Sequence, residues 1–135
     1  MSAPRPGASD PDLGVHDGRP VARRFVSPDG LTVLVGRTAA DNDVLTLALA
    51  APADFWLHVA GGAGSHVVVR NPEGLDALPR STLHFAAALA VRYSKARHGG
   101  RAAVHVARRA AVHKERRAPD GQVTLGRHRT VYSHG

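Results

Sequence analysis

Two alternating runs joined by glycines constrain this chain most. Asp54-Phe55-Trp56-Leu57-His58-Val59 is followed by Ala60-Gly61-Gly62-Ala63-Gly64 and then by Ser65-His66-Val67-Val68-Val69-Arg70. Side chains two positions apart share one face of a strand, so Phe55, Leu57 and Val59 oppose Trp56 and His58. In the second run His66, Val68 and Arg70 oppose Ser65, Val67 and Val69. The glycines permit a hairpin and a close approach of a ligand to the backbone. The pattern predicts two half-buried strands that carry His58 and His66 on either side of a tight loop, with the chain's single Trp between them.

The flanking segments predict the rest of an α+β domain. Residues 24–27 and 31–35 enclose Ser27-Pro28-Asp29-Gly30, a turn in which Pro presets φ and Gly supplies a positive one. Thr38 opens a helix with Asp41 three residues on, Val44, Leu45, Ala48 and Leu49 recur at helical spacing, and Pro52 ends it. A longer helix is expected over about 81–97, stopped by Gly99-Gly100, with a mostly small face of Leu83, Ala86, Ala87, Ala90 and Ser94 for close packing on a sheet. Residues 101–108 alternate as a strand, and 122–125 with 130–133 are expected to form a closing hairpin. The expected order is ββ-α-ββ-α-β-ββ, a mixed but mostly antiparallel sheet with two helices. Residues 1–20 hold few large apolar side chains and are expected to form a flexible tail before a domain over 21–135.

The 135 residues suffice for one core without metal or disulfide. Cysteine is absent, which excludes disulfides, thiolate catalysis and Cys-ligated zinc. No signal peptide or membrane-length apolar run is visible, so a cytoplasmic protein away from membranes is expected. Charge is distributed unevenly. Residues 92–135 carry eleven Lys or Arg against Glu115 and Asp120, a balance of +9 within a net +7. Such one-sided excess attracts phosphates or acidic surfaces, although an Arg-rich solvated surface has the same composition.

The residue types suggest specific contacts. Arg37, where a strand enters a helix, presents a planar fork of donors to phosphate, or pairs with Asp41 or Asp43. Asn42 is placed to read a base edge or ribose hydroxyl, while Asp43 suits the helix dipole or orients a cation. Trp56 either stacks on an unpaired base or belongs to the core under the long helix. Lys95 and Arg97 cap a helix end and edge a groove that Arg108, Arg109, Lys114, Arg116 and Arg117 extend. His58 and His66 number too few for zinc unless His84, His105, His113 or Asp54 complete a site, so no metal is expected. A general acid–base pair of His58 and His66 defines one rival reading, an RNA-processing enzyme. A module that docks an acidic protein partner is the other.

Several motifs fall in a familiar order: Gly36-Arg37, Asn42-Asp43 with Thr46, the two runs above, Ala86-Ala87 with Ala90, Tyr93-Ser94-Lys95-Ala96-Arg97, Val112-His113-Lys114 and Pro119-Asp120-Gly121-Gln122-Val123. Together they resemble the NFACT RNA-binding domain over about residues 22–133. In that family the module accompanies a glycosylase-related N-terminal domain, helix-hairpin-helix elements and a coiled coil, in ribosome quality-control factors that bind tRNA and the large ribosomal subunit. The resemblance is to a stand-alone version of the module. It implies a non-catalytic domain without cofactor that binds tRNA or rRNA, with the large subunit as a further partner. The expected RNA contacts are Arg37, Asn42, Trp56, His58, Ser65, His66, Arg70, Lys95, Arg97, Arg108, Arg109, Lys114, Arg116 and Arg117.

Overall fold

A computed structural model describes residues 8–135. Its frame is a six-stranded sheet in which every neighbouring pair is antiparallel. The strands are β3 (Ala22–Val26), β4 (Thr32–Gly36), β5 (Phe55–Val59), β6 (Val67–Val69), β7 (Ala102–Arg108) and β10 (His128–Ser133), in the spatial order β10-β7-β5-β6-β4-β3. The two alternating runs are β5 and β6, paired with Leu57 opposite Val67 and Phe55 opposite Val69. They are the middle of the sheet, which explains why both their faces are buried over much of their length.

Helix α2 (Arg80–Arg92) covers one face. Its small residues Ala86, Ala87 and Ala90 let it sit close on Val33, Val35, Phe55, Leu57, Val67, Val69, Val104 and Val106, as the sequence pattern predicts. Each large apolar side chain buried there contributes about 1.5–3 kcal/mol. The helix stops at Arg92, short of the expected residue 97. The reason is local: Tyr93 gives its carbonyl to the Ser65 amide at 2.9 Å, and Ser94 forms a bridge with Gly64. Residues 93–95 thus serve the glycine loop rather than a further helical turn.

The opposite face carries Leu34, Trp56, Val68 and Ala107 under Leu45 and Val112. Its cover is α1 (Ala39–Asp43), begun by the Thr38 side chain at the Asp41 amide, and a π-helical continuation over Val44–Leu49. The wide turn frees backbone groups. The Ala51 amide turns to the Asp54 carboxylate at 2.9 Å, and the carbonyl of Thr46 accepts from Nε of Arg109.

Two further expectations change. Strand β9 (Thr124–Leu125) pairs with β8 (Val112–His113), while β10 pairs with β7 along its whole length, so no hairpin joins 122–125 to 130–133. The expected tail divides: residues 1–7 lie outside the described residues, and residues 8–20 contain a 3-10 turn at Pro11–Leu13 and a small hairpin of β1 (Val15–His16) and β2 (Arg19–Pro20). Polar ties supply what the composition lacks. Asp12 pairs with Arg70 at 3.1 Å and Arg19 with Asp41 at 3.0 Å.

Candidate nucleic-acid interface

An open cleft of about 660 Å³ lies on the sheet face away from α2. One wall is the glycine loop, 61–64, and the other is the loop over 120–125. The floor is Trp56, His58, His66 and His105, with His128 beside His105.

Sequence dictates this floor. Trp56, His58 and His66 share a sheet face by alternation, and β7 sets His105 directly opposite His58. Trp56 and His58 stack at 5.8 Å with planes 17° apart. His66 meets the Trp56 ring edge-on at 5.1 Å. His128 meets His105 edge-on at 4.8 Å. Burial pushes His58 below the ordinary imidazole value, against the Gly64 carbonyl that receives its Nε2 at 3.2 Å. Burial likewise lowers His105, with His128 adding to the effect.

His66 is held from every side. Its Nδ1 lies 2.8 Å from Oγ1 of Thr46, its Nε2 2.9 Å from the Gly121 carbonyl, and its amide donates to Oδ1 of Asn42 at 3.0 Å. Burial pushes its pKa down to about 4, against the pull of the Gly121 carbonyl. The ring is neutral at physiological pH. With 1 % of its surface exposed and both ring nitrogens engaged, it offers no atom to an RNA phosphate and no lone pair to a substrate proton. The acid–base pair imagined for His58 and His66 therefore lacks its second member.

Other expected contacts prove to be internal. Trp56 is 2 % exposed and buried under the π-helical segment, on the face opposite α2, with His58 on one ring face. Asn42 is buried, its amide nitrogen donating to the Gly64 carbonyl at 3.3 Å. Arg70 is clamped between Asp12 and Asp54. Arg108 donates to the carbonyls of Ala53, Leu75 and Asp76 and covers the Phe55 ring at 4.1 Å. Arg109 donates to Thr46 and Val112. Lys114 pairs with Asp43 at 3.0 Å and donates to the carbonyls of Pro119 and Gln122. For each of these four cations, backbone carbonyls or carboxylates of the fold claim the charged group.

The remaining expected cations are exposed. Arg37 has no ion-pair partner among the described residues, since Asp41 and Asp43 are taken by Arg19 and Lys114. Lys95, Arg97, Arg116 and Arg117 are exposed as well. Lys95 adjoins the glycine wall through its amide bond to the Ala63 carbonyl at 3.0 Å, whereas Arg116 and Arg117 precede the 120–125 wall. Ser65 is half-buried and does not line the cleft, since alternation turns it away from His66 and its amide donates to the Tyr93 carbonyl. The sequence suggests His105 only as a further zinc ligand and gives no role to His128 or the Gln122 side chain, yet all three residues line the cleft. Alternation within 102–108 signals His105, but β10 pairing with β7 was needed to bring His128 beside it.

Among the described residues no three side chains could hold a metal ion, and no helix is long and apolar enough to cross a membrane.

The model of the NFACT protein RNA binding domain matches residues 22–126. The Rqc2 homolog RqcH of Bacillus subtilis is 36% identical over 113 residues, covering 84% of this chain and 19% of that protein. The Rqc2 homolog RqcH of Streptococcus suis is 34% identical over 110 residues, covering 80% of the chain and 19% of the relative. The C-terminal part of the fibronectin/fibrinogen-binding protein from Streptococcus suis superposes with a TM-score of 0.79 at 32% identity, over 86% of this chain and 46% of that one. The chain thus spans about a fifth of the length of these curated relatives.

Proposed function

Since the chain belongs to the family of NFACT protein RNA-binding domains, we propose that it is a non-catalytic module that grips structured RNA, tRNA or rRNA, in ribosome quality control. The names of its relatives support the setting: Rqc2 homologs in two bacteria and a ribosome quality control complex subunit NEMF homolog in Drosophila melanogaster, 32% identical over 72 residues. Those proteins extend well beyond the matched region, so only the RNA contact is carried over, with the large ribosomal subunit as a partner and the cytoplasm as the compartment.

The observation that supports this reading is the open cleft, with exposed cations following or preceding its wall segments in the sequence. Its floor carries no Lys, Arg, Asp or Glu, and Arg37, Lys95, Arg116 and Arg117 are exposed with no side-chain partner among the described residues, while Arg97, also exposed, donates one N–H to the Ser94 carbonyl at 3.3 Å. A ribose-phosphate strand meets its positive charge on the rim and its apolar, hydrogen-bonding surface inside. Phosphate contacts of this kind release counterions, so binding falls with salt.

The test is tRNA affinity against salt concentration by fluorescence anisotropy. Contacts to Z phosphates give a log–log slope of about −0.9Z on duplex or −0.7Z on single strands. A flat response contradicts the reading. Incubating the protein with tRNA, with and without divalent metal, checks the enzymatic rival: cleavage lost in His58→Ala would replace the present reading.

A further inference from the structure

We propose that the cleft seats one unpaired nucleobase of a single-stranded RNA segment, held against the histidine row while its phosphates stay on the rim. The inference rests on the RNA-binding reading and names the element of RNA that the site takes.

Charge separates the two parts of the surface. Among the described residues the cleft lining contains no Lys or Arg, and its one carboxylate is Asp120. A phosphate gains nothing by entering such a space. A base is neutral, flat and polar at its edge. A cleft of about 660 Å³ is the size that holds one small ligand and far too small for a duplex.

The floor has the surface a base needs. Trp56 covers one face of His58, and the half-buried imidazole lines the cleft with what remains. His105 continues that floor from the neighbouring strand, and His128 stands edge-on to it. RNA modules commonly splay a base out and stack it on aromatic side chains, histidine included.

The edge groups are also present. Nδ1 of His105 meets Thr130 at 3.3 Å, and Nδ1 of His128 donates to the Gly126 carbonyl at 2.9 Å. The Nε2 atoms of both rings, and the side-chain amide of Gln122, have no protein partner among the described residues. Because the Gly126 carbonyl can only accept, Nδ1 of His128 carries a proton and Nε2 is left for a ligand. Gln122 can donate and accept. Convergent polar groups above an aromatic floor are what an extruded base is read by, whereas an acidic peptide would find no cation inside the cleft.

The experiment compares an eight-nucleotide single strand with a hairpin duplex of the same composition. Binding is read by anisotropy and by the fluorescence of Trp56, the chain's single Trp, which underlies the floor. His105→Ala and His105→Gln are assayed beside the wild type, together with a strand carrying abasic positions, and thermal melting checks that both variants fold. The wild type is expected to prefer the single strand. Either His105 variant is expected to weaken that binding about tenfold while leaving the salt slope unchanged. Abasic substitution should weaken wild-type binding similarly and should add little to the variants' loss. Salt-dependent binding that is equal for strand and duplex, and indifferent to His105 and to the bases, overturns the inference and leaves RNA binding standing. Absence of binding to every RNA overturns both.

Discussion

The hydroxyl of Thr46 lies 2.8 Å from Nδ1 of His66, and neighbouring groups dictate which way the proton points. The Trp56 Nε1–H can only donate, and it reaches the same oxygen at 3.2 Å. The Gly121 carbonyl can only accept, so Nε2 of His66 carries the ring proton. Nδ1 is left to accept from Thr46. One chain of bonds, Trp56 to Thr46 to His66 to Gly121, joins the middle of the sheet, the π-helical segment and the 120–125 loop with each polar atom satisfied.

Thr46→Val keeps the shape and removes the shared oxygen. Nε1 of Trp56 and Nδ1 of His66 are then buried without partners. A loss of about 2–5 kcal/mol is expected from two such groups, read as a lower urea midpoint at unchanged m-value. Thr46→Ser, which retains the hydroxyl, should lose less. A Val variant as stable as the wild type would remove the bond chain from the account.

Acid should loosen the same chain. His66 titrates near 4 in the folded protein, against 6.5 for a free imidazole. Below pH 6.5 the unfolded state binds the proton and the folded state refuses it, so stability is fully present above that pH and is lost as pH falls toward 4. The loss is on the order of 3 kcal/mol. His58 and His105, also lowered, act with the same sign. Chemical denaturation at a series of pH values measures the effect, and the ring resonances of His66 assign it. A His66 ring that titrates near 6.5 contradicts it.

Much of this was readable in the sequence, where period-two alternation alone decided the outcome. Phe55 and Leu57 face α2, and Trp56, His58 and His66 face the other side, as the pattern requires. The fate of the cations was not readable. Lys114 and Arg116 are two positions apart in one basic run, yet the first is tied to Asp43 and two carbonyls and the second is exposed. The difference is set by Asp43, 71 residues away in the chain, and by the Pro119 and Gln122 carbonyls across a loop, which no local pattern encodes. The end of α2 escaped for the same reason, since Tyr93 and Ser94 answer to Gly64 and Ser65.

Gly36 is expected to tolerate no side chain. A Cβ there would lie 2.0 Å from Oδ1 of Asn42, the atom that receives the His66 amide. Gly36→Ala should cost about 1–3 kcal/mol and speed amide exchange at His66. Slow exchange at His66 with wild-type stability would show that Asn42 can move without consequence.

The cations should divide into two groups on substitution. Lys114→Ala removes a half-buried pair and two carbonyl bonds, and it should lower stability by about 1–3 kcal/mol in thermal melting. The double substitution Arg116→Ala with Arg117→Ala should leave melting within about 0.5 kcal/mol of wild type, as exposed sites do. It should instead make the salt slope of tRNA binding shallower by one to two contacts' worth. The reverse assignment would contradict the division.

The most direct measurement is a map of amide shift changes on adding tRNA to the labelled protein. The account expects the changes at 61–65, at His105 and His128, over 116–125 and near Arg37 and Lys95, with α2 residues 80–90 silent. Changes centred on α2, or spread evenly over both faces of the sheet, would contradict a single RNA-holding cleft.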